Sequence, residues 1–326
     1  MAPIRPFVRY DSDCHSSCPL CPERRLSLSL LPFLPAELPA ERIAARIALI
    51  SDTHMPQRCL ALPEVLFDLF GGADLVLHAG DVGELWVLDQ LSRIAPVVAV
   101  HGNDDSADSQ RELPYQQVVT VAGVRMLLWH SHYPDRIDEM ESRRDDRIIP
   151  KLDRSVARAK RAGARVALFG HWHIPLTHEV DGVLVVNPGA LAPGNAITRL
   201  LRQTVAWLFL REDGKPFVCH IDLAQPDRPF VPQIDWPAGF KVALRQFNES
   251  ILAPELVAQM NALNRTVEQI GFEFGLPPLL RVAHRCWAGE QALITLADWQ
   301  TEVECDPDLP PRVKAEYLRL LYAFSV

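Results

Sequence analysis

The feature that most constrains this chain is a series of short apolar runs, each of which stops at aspartate, asparagine or histidine. Arg46-Ile47-Ala48-Leu49-Ile50 leads into Ser51-Asp52-Thr53-His54. Asp74-Leu75-Val76-Leu77-His78 leads into Ala79-Gly80-Asp81, and Pro96-Val97-Val98-Ala99-Val100 into His101-Gly102-Asn103-Asp104-Asp105. Between them, Val65 to Phe70 and Leu85 to Ile94 read as helices, the first stopped by Gly71-Gly72. Continuous apolar strands alternating with helices are the pattern of parallel βαβ units covered on both faces.

The pattern then turns partly antiparallel. Gln117 to Val121 and Val124 to Trp129 flank Ala122-Gly123 and deliver His130-Ser131-His132. A helix from about Leu152 to Ala162 precedes Arg165 to Phe169, which ends in Gly170-His171-Trp172-His173. Leu176 to Val180 and Val183 to Val186 form a hairpin across Asp181-Gly182 and end in Asn187-Pro188-Gly189. Ile197 to Leu201, Val205 to Leu210 and Phe217 to Leu223 read as further strands. The run Gln225-Pro226-Asp227-Arg228-Pro229 reads as a linker. Beyond it, Pro254 to Ile270, Glu290 to Glu304 and Pro311 to Phe324 are patterned as amphipathic helices. Three segments follow: an N-terminal extension (1–45) rich in Pro, Ser, Cys and Arg, a main domain (46–224), and a C-terminal helical module (225–326).

In α/β sheets the carboxyl ends of strands share one edge, where ligands sit. Residues distant in sequence are therefore expected to meet there, and many are metal-ligand types: carboxylate, amide oxygen and imidazole. Mixed sets of this kind hold pairs of divalent metals for phosphoester hydrolysis. In Asp52-Thr53-His54 and His171-Trp172-His173 the ligand types are two apart, a spacing that puts both on one side of extended backbone.

The ordered set Asp-x-His, Gly-Asp, Gly-Asn-x-Asp, His-x-His, Gly-His-x-His and Asn-Pro-Gly resembles the calcineurin-like metallophosphoesterase superfamily over roughly residues 46 to 223. The compact order is most similar to its small bacterial and archaeal phosphodiesterase branch. The resemblance implies an α/β fold, a four-layer αββα sandwich, here with the helical module appended. It implies Asp52, His54 and His173 as ligands of one metal, and Asn103, His130 and His171 as ligands of a second. Asp81 would bridge the two, Asp105 would support the site, and Asn187-Pro188-Gly189 would form a turn beside it. The implied cofactors are two divalent ions, with Mn²⁺ first and Fe, Zn²⁺ or Ni²⁺ also suited to these ligands. The implied reaction is attack of a metal-bridging hydroxide on a small phosphodiester.

One position departs from the pattern. Branches acting on protein phosphates or DNA ends carry His after the Asn, and this chain has Asp104. That points towards diesters with good leaving groups and leaves the proton donor open, with His132 the candidate. Asp81, Asn103 and His132 are thus the expected catalytic residues. Ala190 replaces the usual Ser of the turn. Of the other histidines, His78 and His101 adjoin site motifs, whereas His15, His178, His220 and His284 read as ordinary structural residues.

Composition narrows the class further. A net charge of -8 argues against an extended nucleic-acid surface or an anionic membrane as partner, because phosphate neutralisation needs clustered Lys and Arg. No apolar run is long enough to span a membrane. Of seven Cys, four are scattered and three cluster near the start; this odd, uneven set suggests a reducing compartment, so a cytoplasmic location is expected, and a homo-oligomer stays open. Cys14, Cys18 and Cys21 have the spacing of an iron–sulfur triplet without the barrel that would follow it; a zinc knuckle and an unstructured extension are the other readings. Two alternatives to the phosphodiesterase remain: a phosphomonoesterase using the same site, and a metal-free scaffold like the retromer subunit of this fold. The helical module reads as a lid, a dimer surface or a partner-binding element.

Overall fold

The computed structural model describes residues 33–34 and 42–324; Cys14, His15, Cys18 and Cys21 lie outside the described residues. The first sheet contains β1 (Ile43–Ile50), β2 (Leu75–His78), β3 (Val97–Ala99), β11 (Thr204–Arg211) and β12 (Pro216–Asp222), in the order β12-β11-β1-β2-β3. β1, β2 and β3 run parallel, as the βαβ pattern predicts, and β11 and β12 add antiparallel. The second sheet contains β4 (Gln116–Val121), β5 (Val124–Trp129), β6 (Val166–Leu168), β7 (Leu176–Val180) and β8 (Val183–Asn187), ordered β4-β5-β6-β8-β7. Its three central strands are parallel and its two edges antiparallel.

The two sheets pack face to face. Ile47 and Leu49 of β1 and Ala206, Leu208 and Leu210 of β11 meet Met126 and Leu128 of β5 and Val166 and Leu168 of β6. The outer face of the first sheet is covered by α1 (Val65–Leu69) and α2 (Trp86–Leu91), through Leu66, Leu69, Val87 and Leu91. The outer face of the second is covered by α5 (Ile148–Arg161) and α6 (Phe240–Phe247), through Leu152, Val156, Ala159, Ala243 and Phe247. This is the four-layer αββα sandwich. A strand in such a stack is apolar on both faces, which is why β1 and β11 show no alternation.

Beyond the sandwich, α7 (Pro254–Val257), α8 (Met260–Ile270), α9 (Phe272–Trp287), α10 (Leu296–Cys305) and α11 (Pro311–Tyr322) share a separate core around Leu263, Val282, Trp299 and Tyr317. The helix expected over Pro254 to Ile270 is broken into two at Ala258-Gln259. α10 starts at Leu296, because Thr295 and Asp298 close a capping box there. α9 was not expected, since Pro277 and Pro278 lie inside it. Buried Pro278, Leu279, Val282 and Cys286 face the module's core, and that burial outweighs the missing backbone donors. The module grips the sandwich at a small sheet in which β10 (Thr198–Leu200) pairs with both β9 (Gly194–Asn195) and β13 (Asn248–Ser250). Trp287 Nε1 also donates to the Thr198 carbonyl at 3.0 Å, and His284 Nε2 to the Gln57 carbonyl at 2.8 Å. No helix among the described residues is long and apolar enough to cross a membrane.

Leu49 is fully buried between the sheets, three residues before Asp52. Leu49→Ala is expected to cost about 2–5 kcal/mol. Urea unfolding of the metal-free protein measures it, and a loss under about 1 kcal/mol would show that the inter-sheet layer can collapse around the gap.

Candidate metal centre

The carboxyl ends of the parallel strands of both sheets come to one edge of the sandwich. β1 delivers Asp52 and His54, β2 Asp81, β5 His130, and β6 His171 and His173. Their donor atoms form two groups, Asp52–His54–His173 and Asp81–His130–His171. Across them, His173 Nε2 lies 3.2 Å from Asp52 Oδ1, His130 Nε2 3.1 Å from Asp81 Oδ2, and His54 Nε2 3.5 Å from Asp81 Oδ2. Two ligands each about 2.1 Å from one ion stand roughly 3.0–3.4 Å apart, so these separations suit shared cations. Asn103 lines the adjoining cavity and is exposed, with Nδ2 3.4 Å from Asp104 Oδ1.

The backbone that presents these groups departs from expectation. Ligand types two apart were expected on extended chain. Instead Asp52, His54, Asp81, His171 and His173 all take positive φ, between 48° and 71°. Each such residue costs on the order of 1–2 kcal/mol against its right-handed alternative. Left-handed turns still send Asp52 and His54 to one side, while Thr53 turns away and donates to the Val82 carbonyl at 2.8 Å. Glycine precedes the ligand types for a steric reason. A Cβ on Gly102 would stand 2.0 Å from Asp81 Oδ1, and one on Gly80 2.6 Å from His130 Nδ1.

Hydrogen bonds set the tautomers. His130 Nδ1 lies 2.8 Å from the Ala79 carbonyl, which can only accept, so Nδ1 carries the hydrogen and Nε2 keeps its lone pair. That Nε2 is buried and faces Asp81 at an angle that makes no hydrogen bond, the disposition of an atom aimed at a third partner. His171 Nε2 lies 2.9 Å from Glu139 Oε1, so by the same logic Nε2 carries the hydrogen and Nδ1 keeps its lone pair. Backbone N–H groups of His171 and Asp104 donate to Asp52 and Asp81 respectively.

The electrostatics ask for a cation. Burial alone would lower the His130 pKa, but the Asp81 and Asp52 carboxylates and the Ala79 carbonyl outweigh it and push it up to about 10. Burial raises Asp52, yet His173 and His130 hold it at about 2. Burial and the Arg58 guanidinium hold His54 well below its ordinary value. Two buried carboxylates thus draw a proton onto one imidazole, and divalent ions would supply that charge instead. The donor set therefore fits the metals that the sequence implies.

Around this cluster, Asp105 is buried and accepts from Gly83 and Gly102 N–H at 2.6 Å each, which ties the second and third loops together. Burial, with Asp81 nearby, pushes its pKa up to about 6. Asn187 spans the turn beside the site, donating to the Gly170 carbonyl and accepting from Gly189 N–H. His78 is buried and meets Thr53 Oγ1.

His132 is not brought into the cavity. Ser131 and Tyr133 line it, whereas the His132 ring packs behind against Tyr115 at 4.9 Å and His130 at 5.5 Å. Burial, then the neighbouring imidazoles, hold its pKa at about 3, so it carries no imidazolium proton near neutrality. Arg154 clamps this segment by donating to the Ser131 and His132 carbonyls.

Three contributors escaped the sequence. Arg58 pairs with Asp104 and reaches His54 Nε2 at 3.1 Å. Glu139 comes from α4 (Arg136–Arg144), a polar helix without an apolar stripe. Its legible signal was the Asp135 cap, with acids in the first turn and arginines in the last. Phe240, Lys241 and Leu244 of α6 complete the wall of a cavity of about 530 Å³, in which the latest lining residue in the chain is Asn248. The helices after Asn248 therefore brace the rim without covering it.

A profile described as the calcineurin-like phosphoesterase superfamily domain matches residues 46–210. A probable metallophosphoesterase of Methanocaldococcus jannaschii is 33% identical over 44% of this chain and 67% of its own. One of Methanothermobacter thermautotrophicus is 32% identical over 52% and 87%. A protein of M. jannaschii described as a phosphodiesterase is 24% identical over 44% and 82%. Among solved structures, a Thermotoga maritima protein is 30% identical over 55% of this chain and 99% of that one, with a TM-score of 0.40.

Two measurements probe this geometry. At His173 (φ 55°), glycine and alanine both remove the imidazole, but only glycine is at ease there. His173→Gly is expected to be more stable than His173→Ala by about 1 kcal/mol in urea unfolding; equal stability would mean that the turn holds no strain. Glu139→Ala is expected to weaken metal binding by about 10–100-fold in a chelator-competition titration, and unchanged affinity would remove Glu139 from the site.

Proposed function

We infer from membership in the calcineurin-like phosphoesterase superfamily, to which this chain belongs, that it is a metal-dependent phosphodiesterase acting on small diesters. The carrying observation is the convergence of Asp52, His54, Asp81, His130, His171 and His173, with Asn103 at the cavity wall. In this reading Asp52, His54 and His173 would hold one divalent ion and Asn103, His130 and His171 a second, with Asp81 as the shared ligand. When bound, such ions acidify a water into a nucleophile and neutralise charge on the phosphoryl oxygens.

The chain's own residues do the rest. Ala79 and Glu139 orient His130 and His171, so that no imidazole must reorganise during turnover. Asp104 holds Arg58 beside His54, which puts a guanidinium at the cavity mouth where a phosphoryl oxygen would lie. Asp104 occupies the position where the branches acting on protein phosphates and DNA ends carry His. Its carboxylate also disfavours a dianionic monoester more than a monoanionic diester. A leaving group of low pKa departs without a dedicated acid, which accords with His132 lying behind the cavity wall. The relative described as a phosphodiesterase supports the same choice.

The phosphomonoesterase reading draws on a different observation, the lysines and arginines lining the cavity. Among the described residues, Arg58 contacts the candidate ligand His54, and Asp104 neutralises it. Diesters are therefore the better fit. With Mn²⁺, bis(p-nitrophenyl) phosphate is expected to be cleaved faster than p-nitrophenyl phosphate. Asp81→Asn should lower turnover by about 10²-fold or more, the scale of losing one transition-state-stabilising group. Near wild-type turnover in that variant would refute the shared-ligand role, and a preference for the monoester would favour the second reading. No divalent-metal activation at all would point to the scaffold.

A further inference from the structure

We propose that the outer part of the cavity is a second anion subsite, built by Lys151 and Lys241 beside Phe240, for a phosphate-type group that the substrate carries beyond its scissile ester. The proposal rests on the phosphoesterase reading of the same cavity. The protein as a whole is acidic, with a net charge of -8, yet five lysines and arginines line this one cavity. Three of them are already engaged. Arg58 pairs with Asp104, Arg143 with Glu139, and Arg154 donates to the carbonyls of Ser131 and His132.

Lys151 and Lys241, like Arg154, make no ion pair with a carboxylate among the described residues, but the Arg154 fork is spent on two carbonyls and the Tyr115 hydroxyl, whereas Lys151 keeps one of its three N–H donors. Lys151 Nζ is partly buried, donates to the Ser142 carbonyl and hydroxyl, and stands 5.3 Å from the centre of the Phe240 ring. Burial lowers its pKa, and Asp145, Glu139 and Asp146 offset this only in part. The acids around it have other partners: Asp145 pairs with Arg147, Glu139 with Arg143 and His171, and Asp146 accepts from the Lys241 backbone N–H at 2.7 Å. Asp146 lines a neighbouring groove and not this cavity.

Position separates this pair from the reacting centre. Lys151 Nζ meets Ser142, one turn of α4 beyond Glu139, whose carboxylate holds His171. Lys151 thus stands about one helical turn, roughly 5 Å, beyond the side chain that contacts the candidate ligands. A substrate reaching both ends needs a scissile phosphoester, a spacer about as long as a sugar or ring, and a second phosphate. A cavity of about 530 Å³ is within the roughly 300–1,000 Å³ range of small-ligand pockets. The substrate class is then a phosphodiester with a second phosphate, as in a nucleotide phosphorylated at two positions.

Two probes differ only in that group: thymidine 5′-(p-nitrophenyl phosphate) and its 3′-phosphorylated form. With the full-length protein and Mn²⁺, the 3′-phosphate should raise kcat/KM about tenfold or more, the scale of one charge-assisted hydrogen bond. In Lys151→Gln/Lys241→Gln that ratio should fall to near one, and Lys151→Arg/Lys241→Arg should restore much of it. Calorimetry with thymidine 3′,5′-bisphosphate and thymidine 5′-phosphate gives the binding preference independently of turnover. Cleavage of both esters with equal kcat/KM, or a preference unmoved by the glutamine pair, overturns the subsite and leaves the phosphoesterase reading intact. Absence of cleavage with a lysine-dependent preference for the bisphosphate upholds the subsite and refutes the phosphoesterase reading.

Discussion

Two carboxylates buried beside one imidazole set the terms for the rest of this structure. Asp52 and Asp81 both lie within 4.0 Å of His130 Nε2, almost wholly out of solvent. Buried charge of one sign is costly unless compensated. Every neighbouring feature supplies part of the compensation: N–H groups from His171 and Asp104, the hydroxyl of Ser51, and imidazoles turned so that their lone pairs face inward. The remaining demand is for positive charge, which in a phosphoesterase of this superfamily is the divalent metal.

Holding that arrangement takes backbone strain, and the sandwich supports the strain. Five candidate ligands stand at positive φ on loops that leave buried strands directly. Each strand is fixed on both faces, by the layer around Ile47, Leu49 and Leu208 on one side and by helices on the other. The loops cannot relax without moving strands that are packed throughout their length. Asp105 links two of these loops through a pair of short hydrogen bonds, so they are positioned as one unit.

The cavity in front of the donors is assembled from pieces outside the strand ends. α4 contributes Glu139, Ser142 and Arg143, α5 contributes Lys151 and Arg154, and α6 contributes Phe240, Lys241 and Leu244. The C-terminal helices hold the rim from behind, through His284 at Gln57 and Trp287 at Thr198. What the site does to a phosphoester depends on the strand ends. Which phosphoester it accepts depends on these later additions.

The four-layer sandwich was implied by the family resemblance, while the sequence by itself determined the buried parallel strands and the residues of ligand type at their ends. Both are properties of short stretches: apolar runs of strand length, each followed by a residue of ligand type, with the glycines that close approach requires. What it could not show was conformation or encounter. The spacing of Asp52 and His54 read as extended chain, yet the turns are left-handed, a conformation that local propensity disfavours and that the packed strands on either side hold in place. His132 read as the candidate proton donor, yet its ring packs behind the cavity wall, where Arg154 and Tyr115 enclose it. α9 was hidden by two prolines, whose cost is outweighed by burial in a core that only the folded chain creates. Glu139, Arg58, Lys151 and Lys241 meet the site through contacts set by the packing of helices and loops, and no periodicity in a single chain encodes a neighbour so far away.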